Sequence, residues 1–184
     1  MQQKAFSVIG AKIQKQDWVY GSDSVVKTAA MLAWEGYLTS LKDLSLINKD
    51  ITDIPRVEVE KLASIVTESV WIDNMTPIRK LDSILAGVQV QCTELWLDNI
   101  ELSEEHTRAL VTTMRNRVEQ VRLYSGITLD IMELTKYDGR GCCRKIKVEK
   151  DARTRYGSRL RNWATHVRWT VNSDSGWLSI VKRC

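Results

Sequence analysis

Two short segments decide the fold: Val70-Trp71-Ile72 and, 25 positions later, Leu95-Trp96-Leu97. Both have the apolar, aromatic and β-branched composition of a strand. Four more triplets of this kind occur along the chain, namely Leu44-Ser45-Leu46, Val121-Arg122-Leu123, Ile146-Lys147-Val148 and Trp169-Thr170-Val171. The first residues of the six triplets are 26, 25, 26, 25 and 23 positions apart. Helix-type apolar spacing between them predicts an array of strand-plus-helix units.

Each interval has room for one strand, one helix and two tight turns, so successive strands are predicted to run parallel. Because crossovers between parallel strands are right-handed in nearly all proteins, the units are expected to stack as a right-handed α/β solenoid with the sheet on one face and the helices on the other. The first unit is expected to begin at Trp18-Val19-Tyr20. At the other end, 177–181 is predicted to form the last, antiparallel strand of a hairpin that caps the stack.

Several helix starts have recognisable signals. Thr76-Pro77 combines a capping hydroxyl with a proline suited to the first helical position. Ser103, followed by two glutamates, and Asp130, followed three positions later by Glu133, predict two more starts. A strongly basic helix is expected from Thr154 to His166.

The composition indicates one elongated domain. A chain of 184 residues with 43% hydrophobic content supports one sizeable core. We expect a single domain over 1–184, with an N-terminal cap and first unit at 1–40, central repeats at 41–166 and a C-terminal cap at 167–184. The apolar run Ala5–Ala11 is too short for a secretion signal and no later stretch is long enough to span a bilayer, which favours a cytoplasmic location.

Residues with catalytic or metal-binding chemistry are sparse. Cys92 and Cys143 occupy the position three residues before a strand triplet, which points inward, so they are expected to be buried thiols. The two histidines, His106 and His166, lie far apart, and no CxxC pair, GxSxG, HExxH or phosphate-binding glycine loop occurs. We therefore expect no enzymatic activity, no metal and no cofactor.

The pattern Leu41-x-x-Leu44-x-Leu46 with Ile51, and its copies Cys92-x-x-Leu95-x-Leu97 with Leu102 and Val118-x-x-Val121-x-Leu123, resembles the leucine-rich repeat. The resemblance extends from Trp18 to Val171. Unit length and the acidic helix start at 97–106 look like the C-terminal repeat regions of animal nucleotide-binding immune receptors, although GxxxxGK[ST] is absent. This resemblance implies a concave sheet, a protein–protein interaction module and a role in innate immunity or cell-death signalling.

Alternation along the strands is expected to bury the first and third residues of each triplet and to expose the middle one. Trp71 and Trp96 should then lie side by side on adjacent exposed strands. Two interpretations are open: the rings shield the sheet and pack on each other, or they anchor a binding patch. Two positions further along the strands, Asp73 and Asp98 are also expected to face outward, as solvated turn carboxylates or as acceptors for a cationic group. The predicted partner-binding residues are Trp71, Asp73, Trp96, Asp98, Arg122 and Tyr124.

Charge is divided unevenly along the chain. Residues 140–184 hold 12 Lys/Arg and 3 Asp/Glu, a net charge of +9, whereas the preceding 139 residues hold 15 basic and 20 acidic residues, a net charge of −5. The basic third serves solubility or protein contact, or it binds a polyanion or nucleic acid. Residues for this alternative are Lys145, Lys147, Lys150 and Arg168. These four residues are expected on the strand side, opposite the basic residues of the Arg153–Arg161 helix. Because the basic charge is spread over two faces, a protein partner is favoured over nucleic acid.

Overall fold

The computed structural model describes residues 16–124, 126–173 and 176–182. These residues form an α/β fold with one mixed sheet of eight strands and six helices. The strands are β1 (Gln16–Val19), β2 (Leu41–Ser45), β3 (Val66–Ile72), β4 (Glu94–Leu97), β5 (Gln120–Leu123), β6 (Lys145–Glu149), β7 (Thr170–Ser173) and β8 (Trp177–Val181). The helices are α1 (Asp23–Trp34), α2 (Arg56–Ser64), α3 (Ile78–Val88), α4 (Glu104–Asn116), α5 (Ile131–Thr135) and α6 (Lys150–His166).

Strands β1 to β6 follow one another in the sheet in chain order, and all five pairs are parallel. The predicted triplets pair in register: Val70 is opposite Leu95, Leu95 opposite Val121, and Val121 opposite Ile146. One difference occurs at the first strand, where Val19 rather than Trp18 is opposite Leu44. The near-constant interval in the sequence therefore corresponds to a near-constant register in the sheet.

The core lies between the sheet and a row of helices in which each helix packs on the next. The first and third residues of the triplets from Leu44 to Val148 are at most 1% exposed, while the middle residues are half-buried on the other side of the sheet. We call that side, which faces away from the helices, the open face. None of the helices in the described residues has the length and apolar content to cross a membrane.

The C-terminal end differs from the expected order. β7 and β8 form the predicted antiparallel hairpin, but β8 lies between β6 and β7, so Trp169-Thr170-Val171 does not continue the parallel stack next to β6. The reason is burial: Leu178 and Ile180 of β8 are fully buried, whereas β7 has no fully buried residue. The more apolar strand of the hairpin takes the inner position, and β7 becomes the edge strand.

The helix starts follow the capping signals in two cases out of three. The Ser103 side chain accepts a hydrogen bond from the backbone amide of His106, and Asp130 accepts from those of Met132 and Glu133. Thr76, in contrast, has a buried hydroxyl without a hydrogen-bond partner among the described residues, and Pro77 is the N-cap of α3. The prediction of a threonine cap there is wrong, because the chain turns one residue later.

Candidate functional site

The open face carries Trp71 on β3 and Trp96 on β4, which are opposite each other in the register. Their ring centroids are 4.1 Å apart and the ring planes differ by 10°, so the indoles stack in parallel. Both side chains are half-buried. The prediction that the two rings lie in contact on the exposed side of the sheet is confirmed.

Hydrogen bonds from the preceding row of the open face hold both indoles. Trp71 Nε1–H donates to Ser69 Oγ at 3.0 Å, and the Ser69 hydroxyl donates to Asp43 Oδ1 at 2.5 Å. Trp96 Nε1–H donates to Glu94 Oε2 at 2.9 Å. Because each polar ring nitrogen is hydrogen-bonded within the sheet, the orientation of both rings is fixed.

Arg122 on β5 covers the other side of Trp96. Its guanidinium carbon lies 4.0 Å from the ring centroid of Trp96, and its Nη2 lies 3.4 Å from Glu94 Oε2. Gln120 Nε2 donates to the same carboxylate oxygen at 3.0 Å. Trp96 is thus enclosed between Trp71 and a cation that its own sheet supplies.

Two further rings extend this stack toward β8. Tyr124, which follows β5, lies 5.8 Å from Trp96 with planes 28° apart, and Trp177 meets Tyr124 edge to face at 5.1 Å. Lys147 Nζ is 5.9 Å from the Trp177 ring centroid. We call Trp71, Trp96, Tyr124 and Trp177 the surface aromatic cluster.

A shallow cavity of about 210 Å³ opens where β2 to β5 end. Its lining residues are Ile47, Trp71, Trp96, Asp98 and Tyr124. Burial raises the pKa of the Asp98 carboxyl above its ordinary value of 3.8, and the nearby charges of Asp73 and Glu149 raise it further. Burial likewise raises the pKa of Tyr124. Asp98 is therefore a half-buried carboxylate with mostly apolar neighbours in the cavity and with two other negative charges nearby.

The prediction that Asp73 is exposed on the open face is wrong. Asp73 is 4% exposed, and its carboxylate accepts hydrogen bonds from the backbone amides of Asn48 at 2.7 Å and Met75 at 3.1 Å. The turn after β2 has Asn48 in the left-handed conformation, with φ of 54°, and its amide meets the Asp73 carboxylate. Asp73 therefore joins two neighbouring turns beneath the cavity and takes no direct place on the surface.

The residues of the polyanion alternative are not brought together as one group. Lys145 and Lys147 are half-buried on the same side of β6. Arg168 is exposed after α6, with φ of 60°, and precedes β7, which lies two strands away from β6. Lys150 is expected on the strand side, but it is the first residue of α6. This helix begins four residues before the predicted start at Thr154. The Lys150 side chain lies outside the described part of the structure.

Several contributors to this face were not among the predicted site residues, and Glu94 and Trp177 are the most important of them. Glu94 precedes Trp96 by two positions, so strand alternation alone could have placed it beside Trp96. Trp177 is opposite Glu149 in the antiparallel register of β8, and this position depends on β8 entering the sheet next to β6. That insertion was not predicted, and with it Trp177 was missed.

Two of the cysteines have the surroundings of core groups. Cys92 and Cys143 are fully buried, as predicted, and burial raises the pKa of each thiol to about 12. Thiols in this environment are protonated at neutral pH and unreactive as nucleophiles. Within the described ranges, no group of three or more His, Cys, Asp or Glu residues is arranged to hold a metal ion.

Comparison with protein-family models, with characterised proteins and with solved structures yields no significant match to this chain.

Proposed function

We propose that this chain is a non-catalytic protein–protein interaction module of leucine-rich-repeat type, and that it binds a protein partner through the surface aromatic cluster. The observation that carries the proposal is the parallel stack of Trp71 on Trp96 on the open face. Tryptophan, tyrosine and arginine are the residues that most often dominate binding energy in protein interfaces. Here Trp71, Trp96, Arg122 and Tyr124 occur together, in contact and half-buried.

The repeat architecture supports this proposal. Five consecutive parallel strand pairs, with a helix between the two strands of each pair, suit a right-handed solenoid whose concave side is the open face. Such an arrangement offers an extended binding surface built from the middle residues of the strands. Site residues on strands are also held more rigidly than residues on loops, which lowers the entropic cost of binding.

The rigidity of the cluster distinguishes it from chance exposure of apolar residues. The indole nitrogens are bonded within the sheet, so ring orientation is set before any partner arrives. A half-buried, preorganised aromatic surface gains free energy when a partner removes its remaining water contact, by roughly 25 cal/mol per Å² of apolar area. Resemblance to the repeat regions of immune receptors further suggests an intracellular sensing or regulatory role in innate immunity or cell-death signalling.

A capture experiment with immobilised protein tests this function. We expect Trp71→Ala/Trp96→Ala to lower the retention of a specific partner at least about tenfold, a loss of about 1.4 kcal/mol. Trp34→Ala is the matched control, because Trp34 is a tryptophan on α1 that is 55% exposed and distant from the open face. Far-UV circular dichroism verifies that each variant is folded.

The polyanion alternative is tested with Lys145→Glu/Lys147→Glu. Capture is measured between about 50 and 200 mM salt, because polyanion binding weakens steeply over this range. Capture through the aromatic cluster should change little over this range. Loss of the partner only in the lysine variant, with a steep decline in salt, would transfer the binding function to β6. Retention by both double variants would contradict each proposal.

A further inference from the structure

Among the described residues, the carboxylate of Asp98 on the open face has no cationic or hydrogen-bonding partner. Glu94 accepts from Trp96 and Arg122, Asp73 accepts from two backbone amides, and Asp43 accepts from Ser69. Among the described residues, the Asp98 carboxylate takes part in no hydrogen bond or ion pair, although it lies in the cavity beside the two indoles. Partial burial removes water from this carboxylate, and a cationic partner would compensate for that loss.

The surroundings of Asp98 favour a cation in the cavity. The nearby negative charges of Asp73 and Glu149 both make ionised Asp98 less favourable. Arg122, a cation of the open face, is already engaged by Glu94 and by the Trp96 ring. A positive group from outside the chain would relieve this repulsion and complete the ion pair.

We propose that the cavity lined by Ile47, Trp71, Trp96, Asp98 and Tyr124 receives an arginine side chain of the partner protein, whose guanidinium pairs with Asp98. This inference rests on the proposed function and names the residue that the open face recognises. The aliphatic stem of the arginine packs against the apolar lining, and the guanidinium reaches the Asp98 carboxylate.

The size and chemistry of the cavity favour arginine over other occupants. Small-molecule sites usually enclose about 300–1,000 Å³, more than the 210 Å³ available here. One side chain therefore fits better than a cofactor. Between the two basic side chains, the guanidinium is the more weakly hydrated, presents a planar fork to a carboxylate and packs well on aromatic rings, whereas the lysine ammonium loses more hydration on entry. Arg122 already makes this type of contact with Trp96.

The experiment uses three short peptides and the indole N–H signals of the full chain in nitrogen-15 NMR spectra. The peptides are acetyl-Gly-Arg-Gly-amide, its lysine analogue and its citrulline analogue, which keeps the shape of arginine without the charge. We expect the arginine peptide to shift the Trp71 and Trp96 signals saturably. The lysine peptide should bind at least about threefold more weakly, and the citrulline peptide should give no saturable shift.

Asp98→Asn should weaken the arginine peptide at least about tenfold, whereas Glu60→Gln, which neutralises an exposed carboxylate on α2, should leave its affinity unchanged. Equal binding of citrulline and arginine peptides, or of lysine and arginine peptides, would overturn the proposal. So would an unchanged affinity in Asp98→Asn. If the Trp71 and Trp96 signals shift with protein concentration alone, the cavity binds a second copy of the chain. That result would also contradict the proposal of arginine recognition.

The two proposals fail in different ways. If Trp71→Ala/Trp96→Ala abolishes capture of the partner while Asp98→Asn captures it normally, arginine recognition is wrong and the aromatic surface stands. If the tryptophan double variant also captures the partner normally, the proposed function itself is wrong.

Discussion

Within the described part of the chain, two aromatic clusters of similar size lie in opposite environments. Tyr137, Trp163 and Trp169 form a buried aromatic cluster, with centroids 5.6–6.2 Å apart and exposures of 0–5%. The surface aromatic cluster is equally well packed but half-buried, on the side of the sheet without helices. Core packing fully accounts for the first cluster. It does not account for the second, and this difference is the reason for assigning recognition to the open face.

The largest difference between the clusters should appear in Trp163→Ala. Trp163 is 5% exposed, contacts both other rings and donates from Nε1 to the backbone oxygen of Tyr137 at 2.7 Å. Its truncation leaves a cavity and an unpaired carbonyl, so we expect a loss of about 3–5 kcal/mol in the free energy of unfolding. Urea denaturation followed by circular dichroism measures it. A loss below about 1 kcal/mol would mean that the cluster is not part of the cooperative core.

Trp71→Ala should cost much less stability. Its ring keeps part of its surface in water and loses chiefly the stack on Trp96, so we expect about 0.5–1.5 kcal/mol in the same urea assay. Partner capture, in contrast, should fall strongly. A stability loss as large as that of Trp163→Ala would make Trp71 a core residue and remove the basis for the comparison.

Tyr137→Phe compares the two clusters through the effect of removing one hydroxyl on the free energy of unfolding. The Tyr137 hydroxyl is buried without a hydrogen-bond partner among the described residues, and burial raises the pKa of Tyr137 well above its ordinary value. Because an unsatisfied buried hydroxyl is costly, its removal should raise the free energy of unfolding by about 1 kcal/mol. Tyr124→Phe is the matched control in the surface cluster and should give no such gain. Destabilisation by Tyr137→Phe would show that the hydroxyl has a partner.

The smallest effect concerns Asp98 and its dependence on pH. The pKa of Asp98 is raised in the folded chain, so ionisation of this carboxyl opposes folding at neutral pH. Asp98→Asn should therefore be slightly more stable than the unmodified chain at pH 7, by at most about 0.5 kcal/mol. The difference should disappear as the pH falls below the ordinary carboxyl value of 3.8. Thermal unfolding of both chains at pH 7 and at about pH 3, where the carboxyl is mostly protonated, measures the stability difference and its loss in acid. A gain that persists in acid would have another cause.

The sequence predicted the repeat and the tryptophan pair for the same physical reason. A constant interval between apolar triplets implies a constant register, and alternation then places Trp71 beside Trp96 on one face. The buried thiols of Cys92 and Cys143 follow from the same register. Properties that depend on periodicity were therefore accessible without coordinates.

Properties that depend on turns and on competition between strands were not accessible. Asp73 is buried where it accepts a hydrogen bond from the Asn48 amide. The direction of that amide depends on a left-handed turn, which no periodicity in the sequence reveals. The exchange of order between β7 and β8 depends on which strand buries more apolar surface, and Trp177 reaches the surface cluster through that exchange. Among the described residues, Asp98 is unpaired because the nearby donors are engaged by other carboxylates, such as Arg122 by Glu94. This could be seen only from side-chain positions.

Site-specific photocrosslinking measures most directly whether the partner lies on the open face. A benzophenone amino acid placed at Ser45, opposite Trp71 in the register, reports on that face, and the same group at Glu60, exposed on α2, reports on the helix row. We expect a covalent adduct with the captured partner from position 45 and none from position 60. An adduct from position 60, with none from position 45, would contradict the assignment of recognition to the surface aromatic cluster.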